Sequence, residues 1–218
     1  MIITIDGPAA SGKSSIAKKL SNKLGFLHFS TGLMYRAITS YIIINKLDND
    51  LPKSIISHLS DVNLVIKPEL LNTIYINNKD YSKYYFINEV NQLVSSVSAI
   101  SEIRQKFVEI QRNVSLDNDI ICEGRDIGTV VFPRAEFKFF LEASVDCRAQ
   151  RRFNEMKLNE SNIDIMEVKN MIVNRDQIDI NRTESPLKKA VDAILIETTD
   201  LTIREVVDKM YKIINGSN

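Results

Sequence analysis

The segment that most restricts how this chain can fold is GPAASGKS at residues 7–14, which directly follows the apolar run MIITID. It fits the pattern Gly-x-x-x-x-Gly-Lys-Ser, in which the glycines allow backbone N–H groups to turn inward around phosphate oxygens. The apolar run predicts a buried strand, and apolar residues from Ile16 to Leu24 recur at helical spacing until Gly25. Strand, glycine loop and helix in this order predict a phosphate-binding loop.

The loop offers separate groups to each part of a nucleotide. Backbone N–H groups and the positive end of the following helix attract the phosphates. Lys13 adds a mobile charge toward the β- and γ-phosphates, and the Ser14 hydroxyl is expected to face Mg²⁺. A glycine-rich turn that binds nothing is the alternative, but all four fixed positions and both flanks favour a phosphate loop. The residues expected to bind ATP are Gly7, Pro8, Ala9, Ala10, Ser11, Gly12, Lys13, Ser14 and Ser15.

The rest of the chain alternates between apolar strands and helical patterns. We therefore expect an α/β fold over residues 1–218, a single domain with a five-stranded parallel sheet and helices on both faces. Thr202 and Glu205 form a capping-box pattern that predicts the start of the last helix. The strands are expected at 1–5, 26–29, 120–122, 137–141 and 193–196, and helices at 35–44, 103–114 and 145–156.

One region interrupts this alternation with short β-like pieces. Between residues 63 and 80 the segments LVI and TIYI are separated by Lys67 and Pro68 and closed by the sequence NNK. Turn-forming residues between short apolar segments predict a small antiparallel insert.

A second region, 157–186, is polar and free of glycine and contains the charged string RDQIDINR. Arg175, Asp179 and Arg182 fall at positions i, i+4 and i+7, which places them on one side of a helix. A solvated helix face with exposed ion pairs would show the same spacing. Arginines on a segment that closes over a phosphoryl group are the functional alternative.

Composition excludes several classes of protein. The chain has 28 Lys plus Arg and 28 Asp plus Glu, so it has no overall field that favours nucleic acid or a membrane surface. Its two cysteines, Cys122 and Cys147, lie far apart and fit neither a zinc site nor a disulfide framework. The aliphatic run at 42–44 is too short to cross a bilayer. We expect a soluble, cytoplasmic protein without nucleic-acid or membrane partners.

Four segments together resemble the bacterial cytidylate kinase family over nearly the whole chain. They are GPAASGKSS at 7–15, STGLMYRA at 30–37, EGRDIGTVVFP at 123–133 and RDQIDINR at 175–182, of which the third is the most specific. The resemblance implies a nucleoside-monophosphate-kinase fold with a CMP-binding insert at about 63–100 and a lid at about 157–186. It also implies transfer of a phosphoryl group from ATP to CMP or dCMP, with Mg²⁺ as cofactor. We expect a monomer that binds these nucleotides.

The resemblance further implies roles for individual residues. Arg36 and Arg125 correspond to positions that hold phosphate, and Asp126 to a position beside the cytosine. Pairing with carboxylates is the alternative for the arginines, and a turn cap or a pair with Arg125 is the alternative for Asp126. The implied CMP-binding residues are Thr31, Arg36, Ser95, Arg104, Arg125, Asp126, Arg175, Asp179 and Arg182. The implied catalytic cations are Lys13, Arg125, Arg175 and Arg182.

The chain departs from the family pattern at four positions. Ser30 stands where the family often has Asp, and Phe86 stands where relatives often have Arg. Ile178 and Ile180 replace arginines that some relatives carry in the lid. These departures leave the closure of the lid and the docking of the insert open.

The implied mechanism is direct in-line transfer, and two other functions stay open. Because a phosphate acceptor is already an anion near neutral pH, alignment and charge neutralisation matter more than a general base. A kinase acting on a small-molecule hydroxyl would need a base, and Asp126 could serve. A nucleotide-sensing switch would share the loop but would not make ADP in response to CMP. The sequence lacks the Asn-Lys-x-Asp guanine motif, which weakens the GTPase form of that alternative.

Overall fold

The computed structural model describes residues 1–66, 71–116, 118–157 and 163–216. Within them the strands are β1 (Ile2–Asp6), β2 (Leu27–Ser30), β3 (Leu64–Ile66), β4 (Ile74–Ile76), β5 (Lys79–Asp80), β6 (Ile120–Gly124), β7 (Phe137–Glu142) and β8 (Ile194–Glu197). The helices are α1 (Lys13–Leu24), α2 (Thr31–Ile44), α3 (Lys53–His58), α4 (Asn88–Ser98), α5 (Ser101–Val114), α6 (Val145–Lys157), α7 (Ile165–Asn181) and α8 (Ile203–Ile214). A π-helical turn covers Ile127–Val131.

The main sheet has the strand order β2-β6-β1-β7-β8, and every neighbouring pair is parallel. The expected five-stranded parallel sheet is therefore confirmed. Its register pairs Asp6 with Gly124 and Ser30 with Glu123, so these residues meet at the carboxyl edge of the sheet. In open parallel sheets this is the edge at which ligands bind.

Helices cover both faces of this sheet, as expected. Successive residues of each strand point to opposite faces, so each strand contributes side chains to two cores. Ile120 and Cys122 of β6 belong to a core with helices α2 and α5, whereas Ile121 belongs to a second core with α1 and α8. The capping box at the start of α8 is confirmed, with Thr202 and Glu205 each bonding the other's backbone N–H. None of the helices in the described part of the chain is long and apolar enough to span a membrane.

The expected antiparallel insert is present as the three-stranded sheet β3-β4-β5. Asn77 and Asn78 both have positive φ, which suits the tight turn between β4 and β5. The separating Lys67 and Pro68 lie outside the described residues, as do residues 158–162 of the expected lid.

Several helix boundaries differ from those expected from the sequence. Helix α2 begins at Thr31 rather than at residue 35, because the small residues of STG hid its first turn from the apolar periodicity. Helices α3 and α4 and the π-helical turn were not predicted. Helix α7 ends at Asn181, so Arg182 is the first residue after it. Asp179 and Arg182 are both buried, which excludes the exposed ion-pair face considered for this segment.

Candidate active site

The phosphate loop connects β1 to α1 in the conformation that its glycines permit. Gly7 has φ +151°, and a Cβ atom there would lie 2.3 Å from the carbonyl oxygen of Leu141 in the neighbouring strand β7. Only glycine fits such a close approach of two backbones. Helix α1 begins at Lys13, so its positive end faces the loop.

Lys13 is folded back into its own loop and is 5% exposed. Its Nζ donates to the carbonyl oxygen of Pro8 at 2.6 Å and to Oγ of Ser11 at 3.2 Å. Burial, reinforced by the nearby Arg125 guanidinium, lowers the pKa of Lys13 well below its ordinary value. A buried cation with a lowered pKa is stabilised by an arriving anion, which suits a phosphate ligand.

Glu123, which the sequence analysis missed, lies beside the loop at the end of β6. Its Oε1 accepts hydrogen bonds from Oγ of Ser14 at 2.7 Å and from Oγ of Ser30. Its carbonyl oxygen accepts from Oγ1 of Thr31 at 2.9 Å. The signal available in the sequence was an acidic residue at the end of a central strand, beside the motif GRD. Ser30, which departs from the family pattern, thus donates a hydrogen bond to this carboxylate from an uncharged hydroxyl group.

Hydroxyl and carboxylate oxygens are the ligands that Mg²⁺ prefers. Ser14 and Glu123 place one of each at the loop, so the donor set fits this ion. Among the described residues no group of three or more His, Cys, Asp or Glu side chains could hold a metal. A metal at Ser14 would therefore take further ligands from the nucleotide and from water, as Mg²⁺ commonly does.

A buried network of arginines and aspartates faces the loop. Asp126 pairs with Arg104 through Oδ2, and its Oδ1 lies 3.3 Å from Nη2 of Arg182. Asp179 Oδ2 accepts from Nε of Arg125 at 2.8 Å, and its Oδ1 lies 3.6 Å from Nη1 of Arg182. The alternative pair between Asp126 and Arg125 is thus replaced by a pair between Arg125 and Asp179.

The network holds Asp179 in the charged form. Burial alone would raise the pKa of Asp179, but Arg125, Arg175 and Arg182 together hold it below its ordinary value. Burial alone would lower the pKa of Arg125, but the Asp179 carboxylate raises it above its ordinary value. These charges stabilise one another before any ligand arrives.

Besides Lys13, Arg36 and Arg175 are the site cations for which no carboxylate partner exists within the described residues. Nη1 of Arg36 donates to the carbonyl oxygen of Tyr85 at 2.6 Å and to Oδ1 of Asn91 at 2.8 Å. Burial and the neighbouring Arg175 lower the pKa of Arg36 to about 9. Nε of Arg175 is buried without a hydrogen bond, and burial with Arg125 nearby lowers the pKa of Arg175 to about 10. Two such cations together favour binding of an anion.

The structure places Phe86, one of the departures from the family pattern, against Arg36, and Ser95, one of the implied CMP-binding residues, one turn before a contact of Arg104. Phe86 is exposed and lies with its ring 4.8 Å from the guanidinium carbon of Arg36, a cation–π contact. Nη1 of Arg104 donates to the carbonyl oxygen of Ser98, one turn after the buried Ser95 on α4. Helix α4 therefore reaches Asp126 through Arg104.

Asp6 at the end of β1 fixes the turn that carries the GRD motif. Its Oδ1 accepts from the backbone N–H of Ile127 at 2.9 Å, and its Oδ2 accepts from that of Gly128 at 2.7 Å. Burial raises the pKa of Asp6 to about 7 despite these bonds. The central strand thereby positions Arg125 and Asp126, which directly precede Ile127.

A cavity of about 290 Å³ lies beside the loop, between α6 and the start of α8. Arg151 lines it and donates from Nη2 to the carbonyl oxygen of Thr198 at 2.5 Å. Sequence analysis did not single out this region, because its residues come from three separate segments. Its lining residues are Ala10, Gly12, Ser15, Ile16, Arg151, Asn154, Glu155, Thr198, Leu201, Ile203 and Val206.

Comparison with known proteins places this geometry in a family. The family model described as cytidylate kinase matches residues 3–216. A cytidylate kinase of Alkaliphilus oremlandii is 42% identical over 214 residues, covering 98% of this chain and 97% of that protein. One from Fusobacterium nucleatum is 42% identical over 212 residues, covering 97% of this chain and 96% of that protein.

The fold is also similar to a solved structure. The crystal structure of an uncharacterized protein from Eubacterium ventriosum matches with a TM-score of 0.56 at 13% identity. The match covers 99% of this chain and 98% of that chain. At this identity the likeness concerns the fold alone.

Proposed function

The chain belongs to the cytidylate kinase family, and we propose that it transfers the γ-phosphoryl group of ATP to CMP or dCMP. The products are ADP and CDP or dCDP. The observation that carries the proposal is that a lysine of the phosphate loop and arginines from other segments lie at the same edge of the main sheet. Lys13 lies in the phosphate loop, and Arg36 and Arg175 lack carboxylate partners in the part of the chain that the structure describes.

ATP binds with its phosphates in the loop and its base in the neighbouring cavity. Lys13 then exchanges its contacts with Pro8 and Ser11 for phosphate oxygens, since both contacts lie within the loop itself. Ser14 and Glu123 would hold Mg²⁺, which would supply neutralisation of the phosphate charge of ATP when bound. Transfer is in line and needs no covalent intermediate.

CMP binds on the opposite side, between the insert and α7. Arg36 and Arg175 bind its phosphate, together with Arg125 of the GRD turn. Each Asp126 oxygen accepts from one guanidinium and keeps a further lone pair, which can accept from the cytosine amino group. Arg182, next to both aspartates, neutralises charge that develops during transfer.

The proposal includes the division of the chain into functional parts. Residues of about 63–100 form the CMP-binding insert and residues of about 157–186 form the lid. The contact of Arg36 with Tyr85 and the position of Arg175 on α7 support this division. A monomer working in the cytoplasm with nucleotides as its partners completes the proposal.

A kinase acting on a small-molecule hydroxyl is a weaker alternative. It would need Asp126 as the general base that receives the hydroxyl proton. Both oxygens of Asp126 already accept hydrogen bonds from the guanidinium groups of Arg104 and Arg182, so the structure uses this carboxylate as a hydrogen-bond acceptor. Asp126 is therefore better suited to recognition than to proton transfer.

An assay of ADP release with ATP, Mg²⁺ and a panel of acceptors tests the proposed function. The panel contains CMP, dCMP, UMP, AMP, shikimate and gluconate, with a reaction lacking acceptor as control. We expect the fastest release with CMP or dCMP. Release that is fastest with shikimate or gluconate, or that is independent of any acceptor, would contradict the proposal.

A further inference from the structure

A buried ion pair joins the phosphate loop to helices α6 and α7. Asp176 of α7 pairs with Nη1 of Arg148 of α6, and both side chains are less than a tenth exposed. Asp176 Oδ1 also accepts from the backbone N–H of Ala9 at 2.9 Å. Nη1 of Arg148 in turn donates to the carbonyl oxygen of Ala9 at 3.0 Å. Both polar backbone groups of this loop residue are therefore held by side chains of the two helices.

Apolar packing at the same place strengthens the connection. Ala9, Ala149, Val168 and Ile172 form a buried cluster of their own, separate from the two cores that cover the main sheet. Ala10 packs against its edge. The second and third variable positions of the loop are thus part of the interface between α6 and α7.

We propose that Asp176 and Arg148 are positioning residues that hold α7 at a fixed distance from the phosphate loop. Asp176 directly follows Arg175, and Asp179 lies one turn later on the same helix. Fixing Asp176 to Ala9 therefore fixes the cations of α7 relative to phosphates bound in the loop. This inference rests on the proposed function, because it concerns the alignment of Arg175 and Arg182 for phosphoryl transfer.

A purely stabilising role would explain this arrangement less well. Burying a charged pair usually stabilises a fold little, because desolvation offsets the attraction. Helices α6 and α7 are also joined by a second pair, Lys169 to Asp146 at 2.5 Å, in which Asp146 is 79% exposed. This second pair joins the same two helices but does not contact the loop, so it serves as a matched control.

The first test compares steady-state kinetics of Asp176→Asn, Asp176→Ala and the control Asp146→Asn. Small misplacements of reacting groups lower the rate of transfer strongly, so we expect kcat to fall about tenfold or more in both Asp176 variants. KM for CMP should change less than about threefold, because the cations that bind it remain. Asp146→Asn should stay within about twofold of wild type. Asp176 variants with wild-type kcat, or a loss equal to that of Asp146→Asn, would overturn the proposal.

The second test measures amide hydrogen exchange of Ala9 by NMR in the full chain without nucleotide. Asp176→Ala removes the acceptor of this N–H, so we expect its exchange to accelerate about tenfold or more, with amides of β6 unchanged. Asp176→Asn keeps an oxygen acceptor and should accelerate it less. Unchanged exchange of Ala9 in Asp176→Ala would overturn the proposal. A wild-type protein that makes no ADP with CMP would overturn the proposed function. The exchange measurement would still show whether Asp176 holds the N–H of Ala9.

Discussion

The phosphate loop and the arginine–aspartate network both place charged groups at the same edge of the main sheet, but they are built differently. The loop lies within residues 7–15 and relies on backbone N–H groups, one lysine and the start of α1. The network unites Arg104, Arg125, Asp126, Asp179 and Arg182, which come from α5, the GRD turn and the end of α7. One site is local in the sequence and the other is assembled by the fold.

The two regions also differ in how their charges are compensated. Lys13 is buried among neutral loop groups, and its pKa is lowered well below the ordinary value by burial and by Arg125. Arg104, Arg125 and Arg182 each have a carboxylate partner already. Cations without such partners gain most from an arriving phosphate, whereas paired cations hold the shape of the site.

The largest effect is expected from Lys13→Ala in the loop. Removing one preorganised charge at a reacting group typically lowers kcat by about 10²–10³-fold. The melting temperature should stay the same or rise, because the variant no longer buries a cation with a lowered pKa. Lys18→Ala, an exposed change on the same helix, is the control. If Lys13→Ala turned over at nearly the wild-type rate, the result would contradict a catalytic role for the phosphate loop.

Arg182→Ala tests whether a network arginine takes part in transfer. We expect kcat to fall about tenfold to a hundredfold, and more than KM for CMP rises, since its charge would act mainly in the transition state. The melting temperature should also fall, because Asp126 and Asp179 each lose a buried partner. An effect confined to KM would assign Arg182 to binding of CMP instead.

Asp126→Asn tests base recognition within the network. A carboxylate accepts from the amino group of cytosine but faces a carbonyl oxygen in uracil, whereas an amide can rotate to donate. The ratio of kcat/KM for CMP to that for UMP should therefore narrow by about tenfold or more. The measurement uses both acceptors with saturating Mg-ATP in both proteins. Equal losses for the two acceptors would leave Asp126 as a structural partner of Arg104 and Arg182.

The smallest effect is expected from Thr202→Ala, far from the network but on a helix that packs against α1. Loss of this helix cap should lower the free energy of unfolding by about 1 kcal/mol. kcat should not change, because the loop is held by β1 and α1, whereas KM for ATP should rise slightly, because Leu201 and Ile203 beside the cap line the cavity proposed for the ATP base. Denaturant unfolding and the ADP assay measure the two quantities. A fall in kcat would show that the loop depends on its distant packing.

Local patterns predicted the larger part of the fold. The five parallel strands, the helix after the loop, the capping box at Thr202 and the antiparallel insert all follow from periodicity and turn residues within short windows. Helix α3 was not predicted because its six residues are too few to show a period. Helix α4 does show helical spacing, in Val90, Leu93, Val94 and Val97, and this pattern was missed. Glu123 was not predicted as a site residue because its role depends on contact with Ser14, which lies more than a hundred residues earlier in the chain.

The sequence by itself determined the phosphate loop, since a strand, two glycines, a lysine and a helix start create an anion site through adjacent backbone groups. Only the tertiary structure decided which arginine pairs with which aspartate. It joins Asp126 to Arg104 and Arg182, and Asp179 to Arg125, and it leaves Arg175 without a carboxylate among the described residues. Such pairings depend on how α5, α7 and the GRD turn lie above the sheet. No periodicity encodes that placement, because it results from the packing of the whole core.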